Sequence, residues 1–394
     1  MSGPRLNIVF TGFCFPHGMA STRRQRHTLS ALRAYDGVSV RVVVLRQSTQ
    51  ENARSGVDDG VPYDTIGPDL LRLRFLIASP LFFRRCRSAI RAVHREDAKN
   101  ILIVNGPPKF ENVPLVRHAR RAGFKTVFDV IEDPDQEGCM SSSIWNKATV
   151  LSSRYYARRL PGLADGLFVI SSHLHGKMQA VTGGRIPILL HPISMDISRF
   201  AGGGAAPPVP ATLFYGGSFA VKDGVEHLLD AFETLAARYP SLQLVMTGRG
   251  EPGRMRAVLS RVAQSAFAGR IRYAGYLDDE QYYRELMRCT IPCMTRTESR
   301  FANAGFPFKL GEYLATGKPV VASNVSDVSR YLKDQEEALL TEPGSVESIV
   351  RAIEFVLENP AQASRMGRKG REVALKRFDY SSQGPALYQF LSGL

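Results

Sequence analysis

The sequence predicts an α/β protein of two domains, each built on a mainly parallel sheet with helices on both faces. Three observations carry this. Short apolar, β-branched runs bounded by Gly and Pro alternate with helix-like segments; one stretch of Gly, Pro and Ala interrupts the alternation; and the alternation then restarts. At 394 residues, 44% of them hydrophobic, the chain is long enough for two separate cores.

In the first half the predicted strands are 7–12 (NIVFTG), 40–45 (VRVVVL), 100–106 (NILIVNG), 125–130 (KTVFDV) and 166–171 (GLFVIS), with helix-like segments such as 23–35 between most of them. The segment 201–211 (AGGGAAPPVPA) has no apolar periodicity and suits a linker. The division expected is therefore 1–200 for the first domain, 201–211 for the linker and 212–377 for the second domain. A C-terminal helix over 378–394 is expected to pack back on the first domain. Strands in the second half are expected at 212–217, 242–248, 271–275, 290–294, 319–323 and 338–343. Ligands of parallel sheets bind outside the carboxyl ends of the strands, so two facing domains would place chemistry in a cleft between them.

Composition narrows the function. The longest apolar run is short, as in FLIASPLFF at 75–83, whereas a spanning helix needs roughly 20 residues. The start reads as a first strand rather than a signal peptide, which predicts a cytoplasmic protein. Five scattered cysteines predict reduced, buried thiols, and Cys289 with Cys293 lack the further ligands of a metal site. Residues 1–200 carry 28 Lys and Arg against 16 Asp and Glu, while 201–394 carry 23 against 21. That asymmetry predicts an anionic partner for the first domain. A nucleic acid is disfavoured, because the cations are not interleaved with aromatics in a known module. An anionic membrane surface is favoured by 70–95, which holds seven Arg and no acid beside Leu and Phe, with Phe82 and Phe83 expected to enter the headgroup boundary.

The richest stretch is 305–323 (GFPFKLGEYLATGKPVVAS), where a Gly-Pro turn leads into a helix, Gly317 ends it and a buried strand follows. Amides at Gly305 and Phe306, with Lys309, are expected to seat a diphosphate at the helix start. Glu312, three residues after Lys309, is placed to accept both hydroxyl protons of a ribose; a solvated Glu is the other reading. In 244–253 (LVMTGRGEPG), Gly248, Gly250 and Gly253 have dinucleotide spacing, but Pro252 interrupts the turn and no acid follows about 20 residues on. In 12–24 (GFCFPHGMASTRR), Gly12 and Gly18 lie between the first strand and its helix, where Arg23 and Arg24 could face a cleft.

The 305–323 stretch resembles the signature of the family 4 glycosyltransferases, the retaining group 1 glycosyl transferases, and the resemblance extends over roughly 5–377. It implies the GT-B fold of two facing Rossmann-like domains with an interdomain cleft, and a Glu312 that binds ribose. The family's earlier acid, eight residues before, is Ala304 here. The segment 215–232 (YGGSFAVKDGVEHLLDAF) is similar to the family's diphosphate loop: Gly217 and Ser218 would adjoin the nucleotide, with Ser218 where Arg is common. Lys222 precedes the usual Lys position, occupied by Asp223. Gly248 would lie in the turn beside the nucleotide, Gly12 and Gly18 in the N-terminal Gly-rich loop, and Glu132 or Asp133 on the acceptor side.

What the resemblance implies is sugar transfer from a UDP- or GDP-linked donor to a sugar or lipid-linked acceptor, with no further cofactor and no metal. Lys222, Lys309 and Asp133 are the expected catalytic residues, and attachment is peripheral, on the cytoplasmic face. A sugar epimerase of the same fold, and a nucleotide-binding or membrane-scaffold protein without catalysis, are the alternatives.

Overall fold

The computed structural model describes residues 4–18, 20–45, 53–67, 79–133, 144–200 and 210–394. The chain forms two compact units, residues 1–194 with 380–394, and 195–379.

In the first unit, β1 (Leu6–Thr11), α1 (Ala20–Arg33), β2 (Val38–Val44), β3 (Ser55–Asp58), β4 (Val61–Thr65), α2 (Ser79–Val93) and β5 (Lys99–Asn105) are followed by α3 (Val113–Arg121), β6 (Lys125–Val130), α4 (Ile144–Ala157), β7 (Gly166–Val169), α5 (Ser172–Thr182) and β8 (Ile188–Leu190). The sheet order is β3-β4-β2-β1-β5-β6-β7-β8, parallel except for the β3 and β4 hairpin. Central strands read as continuous apolar runs because helices cover both faces: Ile101, Leu102, Ile103 and Val104 are all fully buried. Ser171 caps α5 by accepting from the Leu174 amide, and left-handed Gly183 ends it.

The second unit runs β9 (Thr212–Gly217), α6 (Val225–Ala236), β10 (Gln243–Gly248), α7 (Pro252–Gln264), β11 (Ile271–Tyr273), α8 (Asp279–Arg288), β12 (Ile291–Met294), α9 (Arg300–Ala304) and α10 (Phe308–Ala315). It closes with β13 (Val321–Ser323), α11 (Val328–Tyr331), β14 (Leu339–Thr341), α12 (Val346–Glu358) and α13 (Pro360–Arg377). Its six-stranded sheet has the order β11-β10-β9-β12-β13-β14, all parallel. The apolar faces of α6 and α12 pack together over it.

The units divide at Ser194, ahead of the Gly-Pro stretch, of which 201–209 lie outside the described residues. The reason is packing. Met195 bridges to Asp379, and buried Phe200 meets the Tyr283 ring at 5.2 Å, which ties 195–200 to the second unit. The last helix, α14 (Tyr380–Gly393), belongs to the first unit: Leu387 and Leu391 enter its core, and Tyr388 stacks on Tyr35 at 4.5 Å.

Two expectations about side chains fail. Phe82 is 2% exposed and belongs to the core, so of the adjacent pair only Phe83 reaches solvent, with Leu81 beside it. Cys14 is half-buried, whereas Cys86, Cys289 and Cys293 are buried; Cys139 lies outside the described residues, as do 70–78 of the basic segment. Among the described residues no helix is long and apolar enough to cross a membrane.

Candidate functional site

In the second unit the ends of β9 and β10 meet backbone to backbone. Gly248 has φ +128°, and a Cβ there would lie 1.9 Å from the Gly217 carbonyl oxygen. A Cβ on Gly217 would lie 2.5 Å from Lys309 Nζ, so this glycine opens the space that the ammonium occupies. Lys309 lies over the Tyr215 ring, 4.3 Å from its centroid.

Beneath these turns is a buried ionic cluster. Asp223 is 2% exposed, with Lys309 Nζ at 3.5 Å and Arg296 Nε at 3.7 Å. The Ser218 hydroxyl, expected beside the nucleotide, donates to Asp223. Burial opposes ionisation of Asp223, but Lys309, Arg296, Ser218 and Lys222 together outweigh it and hold the carboxyl well below the usual range. Burial also lowers the Lys309 ammonium, with Asp223 acting against it. Lys309 and Arg296 share this carboxylate; with Lys222 acting on Asp223 and Glu312 acting on Lys309, three cations face two carboxylates, which leaves an excess of positive charge. Arg296 Nε is buried and makes no hydrogen bond among the described residues.

Lys222 was expected as Lys309's partner, yet it is half-buried at the rim and is the weakest of the attractions on Asp223. Arg296 has the central place. Its only sequence signal is its position two residues past β12, at the carboxyl edge of the sheet.

Glu312 is 4% exposed, so the solvated reading is excluded. Its carboxylate accepts from the phenols of Tyr282 at 2.9 Å and Tyr283 at 3.3 Å, both on α8. Burial and Glu312 together push the Tyr282 phenol well above its ordinary value. The Tyr-Tyr pair is a second feature that sequence reading missed, since nothing local ties it to a residue about 30 positions on. Ala304, at the position of the family's earlier acid, is buried.

Gly305 and Phe306, expected at a helix start, precede it. Gly305 ends α9, Pro307 intervenes, and α10 begins at Phe308, so the helix-start amides lie two to three residues later. Phe306 is a core residue packed edge-on against Tyr331 at 5.4 Å. At 244–253 Glu251 caps α7 by accepting from the Gly253 and Arg254 amides, which occupies the donors that a phosphate would use. Gly250 fits against the Ser218 carbonyl oxygen, where a Cβ would approach to 2.5 Å.

In the first unit, Gly12 has φ +91°, and a Cβ there would lie 2.5 Å from the Asn105 carbonyl oxygen. Gly18 is exposed beside Thr22, 2.1 Å from Oγ1 by the same measure. Arg24 does not face outward. It is buried, paired with Asp129, and donates to the carbonyls of His191 at 2.7 Å and Pro192 at 3.2 Å. Asp133, expected as a catalytic acceptor-side acid, is 3% exposed and paired with Lys177, with His173 at 3.9 Å. Its charge is neutralised within its own domain, and the neighbouring Glu132 is the exposed acid.

Residues 203–373 match the glycosyl transferases group 1. The chain is similar to a phosphatidyl-myo-inositol mannosyltransferase of Mycobacterium tuberculosis, 27% identical over 213 residues, covering 51% of this chain and 54% of that protein. It is also similar to the lipopolysaccharide core biosynthesis glycosyltransferase LpsE of Rhizobium meliloti, 27% identical over 177 residues, 45% and 48% of the two chains. The chain thus spans about half the length of these relatives. Among solved structures, sucrose-phosphate synthase from Thermosynechococcus elongatus has a TM-score of 0.75 at 17% identity, covering 97% of each chain. Anabaena Alr3699/HepE in complex with UDP has 0.71 at 14%, covering 98% and 100%. At these identities the likeness is one of fold, two Rossmann-like domains of GT-B type.

Proposed function

We propose that this chain, a member of the group 1 glycosyl transferases, moves a sugar from a nucleotide-sugar to an acceptor with retention at the anomeric carbon. The observation that carries this reading is the buried cluster in which Lys309 and Arg296 share Asp223 under the glycine turns of β9 and β10. A diphosphate supplies the missing negative charge. Glu312, aimed by Tyr282 and Tyr283, accepts hydroxyl protons from the ribose.

As the bond from the anomeric carbon to the diphosphate breaks, its electron pair passes to the phosphate oxygen, where Lys309 and Arg296 stabilise it. The acceptor hydroxyl adds from the same face and gives its proton to that oxygen. No protein nucleophile is required.

The acceptor in this reading is a lipid-linked or surface-glycan intermediate, in keeping with relatives named for a phosphatidylinositol and for lipopolysaccharide core. Exposed Leu81 and Phe83 on α2, next to Arg84, suit peripheral docking on the anionic cytoplasmic face of a membrane.

Incubation with labelled UDP- and GDP-sugars and lipid extract tests transfer, and the anomeric coupling of the product tests retention. Nucleotide binding without any glycoside product would overturn the enzyme reading, and an inverted product the mechanism. Sedimentation with anionic vesicles at low salt tests docking, which should weaken when Leu81, Phe83 and Arg84 become Ser.

A further inference from the structure

The first unit has a cationic site of its own, at the end of the sheet where its strands begin. The helices α2 and α3 both end there: the Val93 carbonyl accepts from Asn7 Nδ2 at the start of β1, and Arg120 donates to Thr126 Oγ1 at the start of β6. Beside them is a cavity of about 560 Å³ lined by Arg117, Arg120, Arg121, Arg158, Arg159 and Arg185, with Tyr156 in its wall. Arg121 also borders a hollow of about 410 Å³ with Arg87, Arg91 and His118.

Helix dipoles favour one or two cations at each carboxyl end, but they do not account for six arginines around one cavity. Like charges brought together cost free energy unless an anion joins them. Of the six, only Arg120 has a carboxylate within ion-pair distance among the described residues, Asp165 at 2.5 Å. The excess field is felt locally: burial first, then Arg121 and Arg87, lower the His118 imidazole from its ordinary value. Aromatic faces stand beside the guanidinium groups. Arg159 lies 3.6 Å over the ring of half-exposed Tyr155, and Arg117 lies over Tyr156.

We propose that this cavity binds an acidic glycan, whose carboxylates pair with the arginine forks while a sugar ring packs on Tyr156 in the cavity wall. A bilayer fits less well, because the exposed Phe83 lies about 12 Å along α2 from Arg91, toward the other end of that helix. The choice of a glycan rests on the glycosyltransferase reading; the cavity's affinity for an anion does not.

Calorimetric titration of the full chain with a short oligogalacturonate tests the proposal, with a neutral oligosaccharide of equal length, phosphatidylglycerol vesicles and duplex DNA in parallel. The oligogalacturonate should bind in preference to the neutral chain, and Arg117→Ser with Arg121→Ser should weaken it about tenfold or more. UDP binding should be unchanged in that variant, which separates this site from the donor site. Arg158→Ser alone provides the same test if the double variant fails to fold. Equal binding of the neutral chain, indifference to these substitutions, or binding of vesicles or DNA alone would overturn the proposal. Loss of UDP binding by the wild type with oligogalacturonate binding intact would instead remove the donor reading and leave the anion site standing.

Discussion

Two buried ionic clusters, one around Asp129 in the first domain and one around Asp223 in the second, differ in stoichiometry. In the first, Arg24 and Asp129 match charge for charge, and carbonyls of His191 and Pro192 take up further guanidinium donors, at 2% and 1% exposure for the two charged side chains. In the second, Lys309 and Arg296 share Asp223 and keep 13% and 11% exposure. The first cluster is balanced in charge and almost fully buried. The second has surplus charge and residual exposure to solvent, which in the proposed reading suits an anion site. A buried ion pair is therefore informative about function when its charges fail to balance.

The largest effect should come from breaking the two clusters. Asp129→Ala and Asp223→Ala should each cost about 3 to 5 kcal/mol in urea unfolding, because buried cations lose their partner. Added UDP should stabilise Asp223→Ala more than Asp129→Ala, because the diphosphate then pairs cations left without their carboxylate. Equal behaviour of the two variants would erase the distinction. Next, Lys309→Ala and Arg296→Ala should lower kcat about 100- to 1000-fold, more than they weaken UDP affinity. An equal loss in both would reduce the cluster to a binding role.

Glu312→Ala should cost about 1.5 to 3 kcal/mol of donor affinity, and Tyr282→Phe about 0.5 to 1.5 kcal/mol by loosening the carboxylate, both readable by calorimetry. The smallest effect concerns pH. Burial and then Arg24 depress His191 well below its ordinary value, so stability in the first domain that is present above about pH 6.5 is lost as pH falls. The depressed Asp223 carboxyl contributes above about pH 4 and loses its contribution only at lower pH. Hydrogen exchange across this range should show protection falling first in β7, β8 and α1; simultaneous loss in both domains would contradict it.

The amino-acid sequence by itself determined the alternation of strands and helices, the six strands of the second sheet, the i, i+3 placement of Lys309 and Glu312 on one helix, and the excess of positive charge in the first half. Each of these is a local period or a composition, legible because helix and strand geometry repeat every few residues. The β3 and β4 hairpin passed unnoticed, although Asp59 and Gly60, with φ of 47° and 70°, supply the left-handed pair that such a turn uses. Tertiary structure alone decided that Arg296 meets Asp223, that Tyr282 and Tyr283 hold Glu312, that Arg24 and Asp133 are neutralised, and that Phe82 turns inward while Phe83 does not. It also ended the first unit at Ser194, since Phe200 finds its aromatic partner in the second. The physical reason is common to all of these. A side chain's charge is fixed by its type, but whether that charge is cancelled, buried or presented depends on elements brought beside it from dozens of residues away.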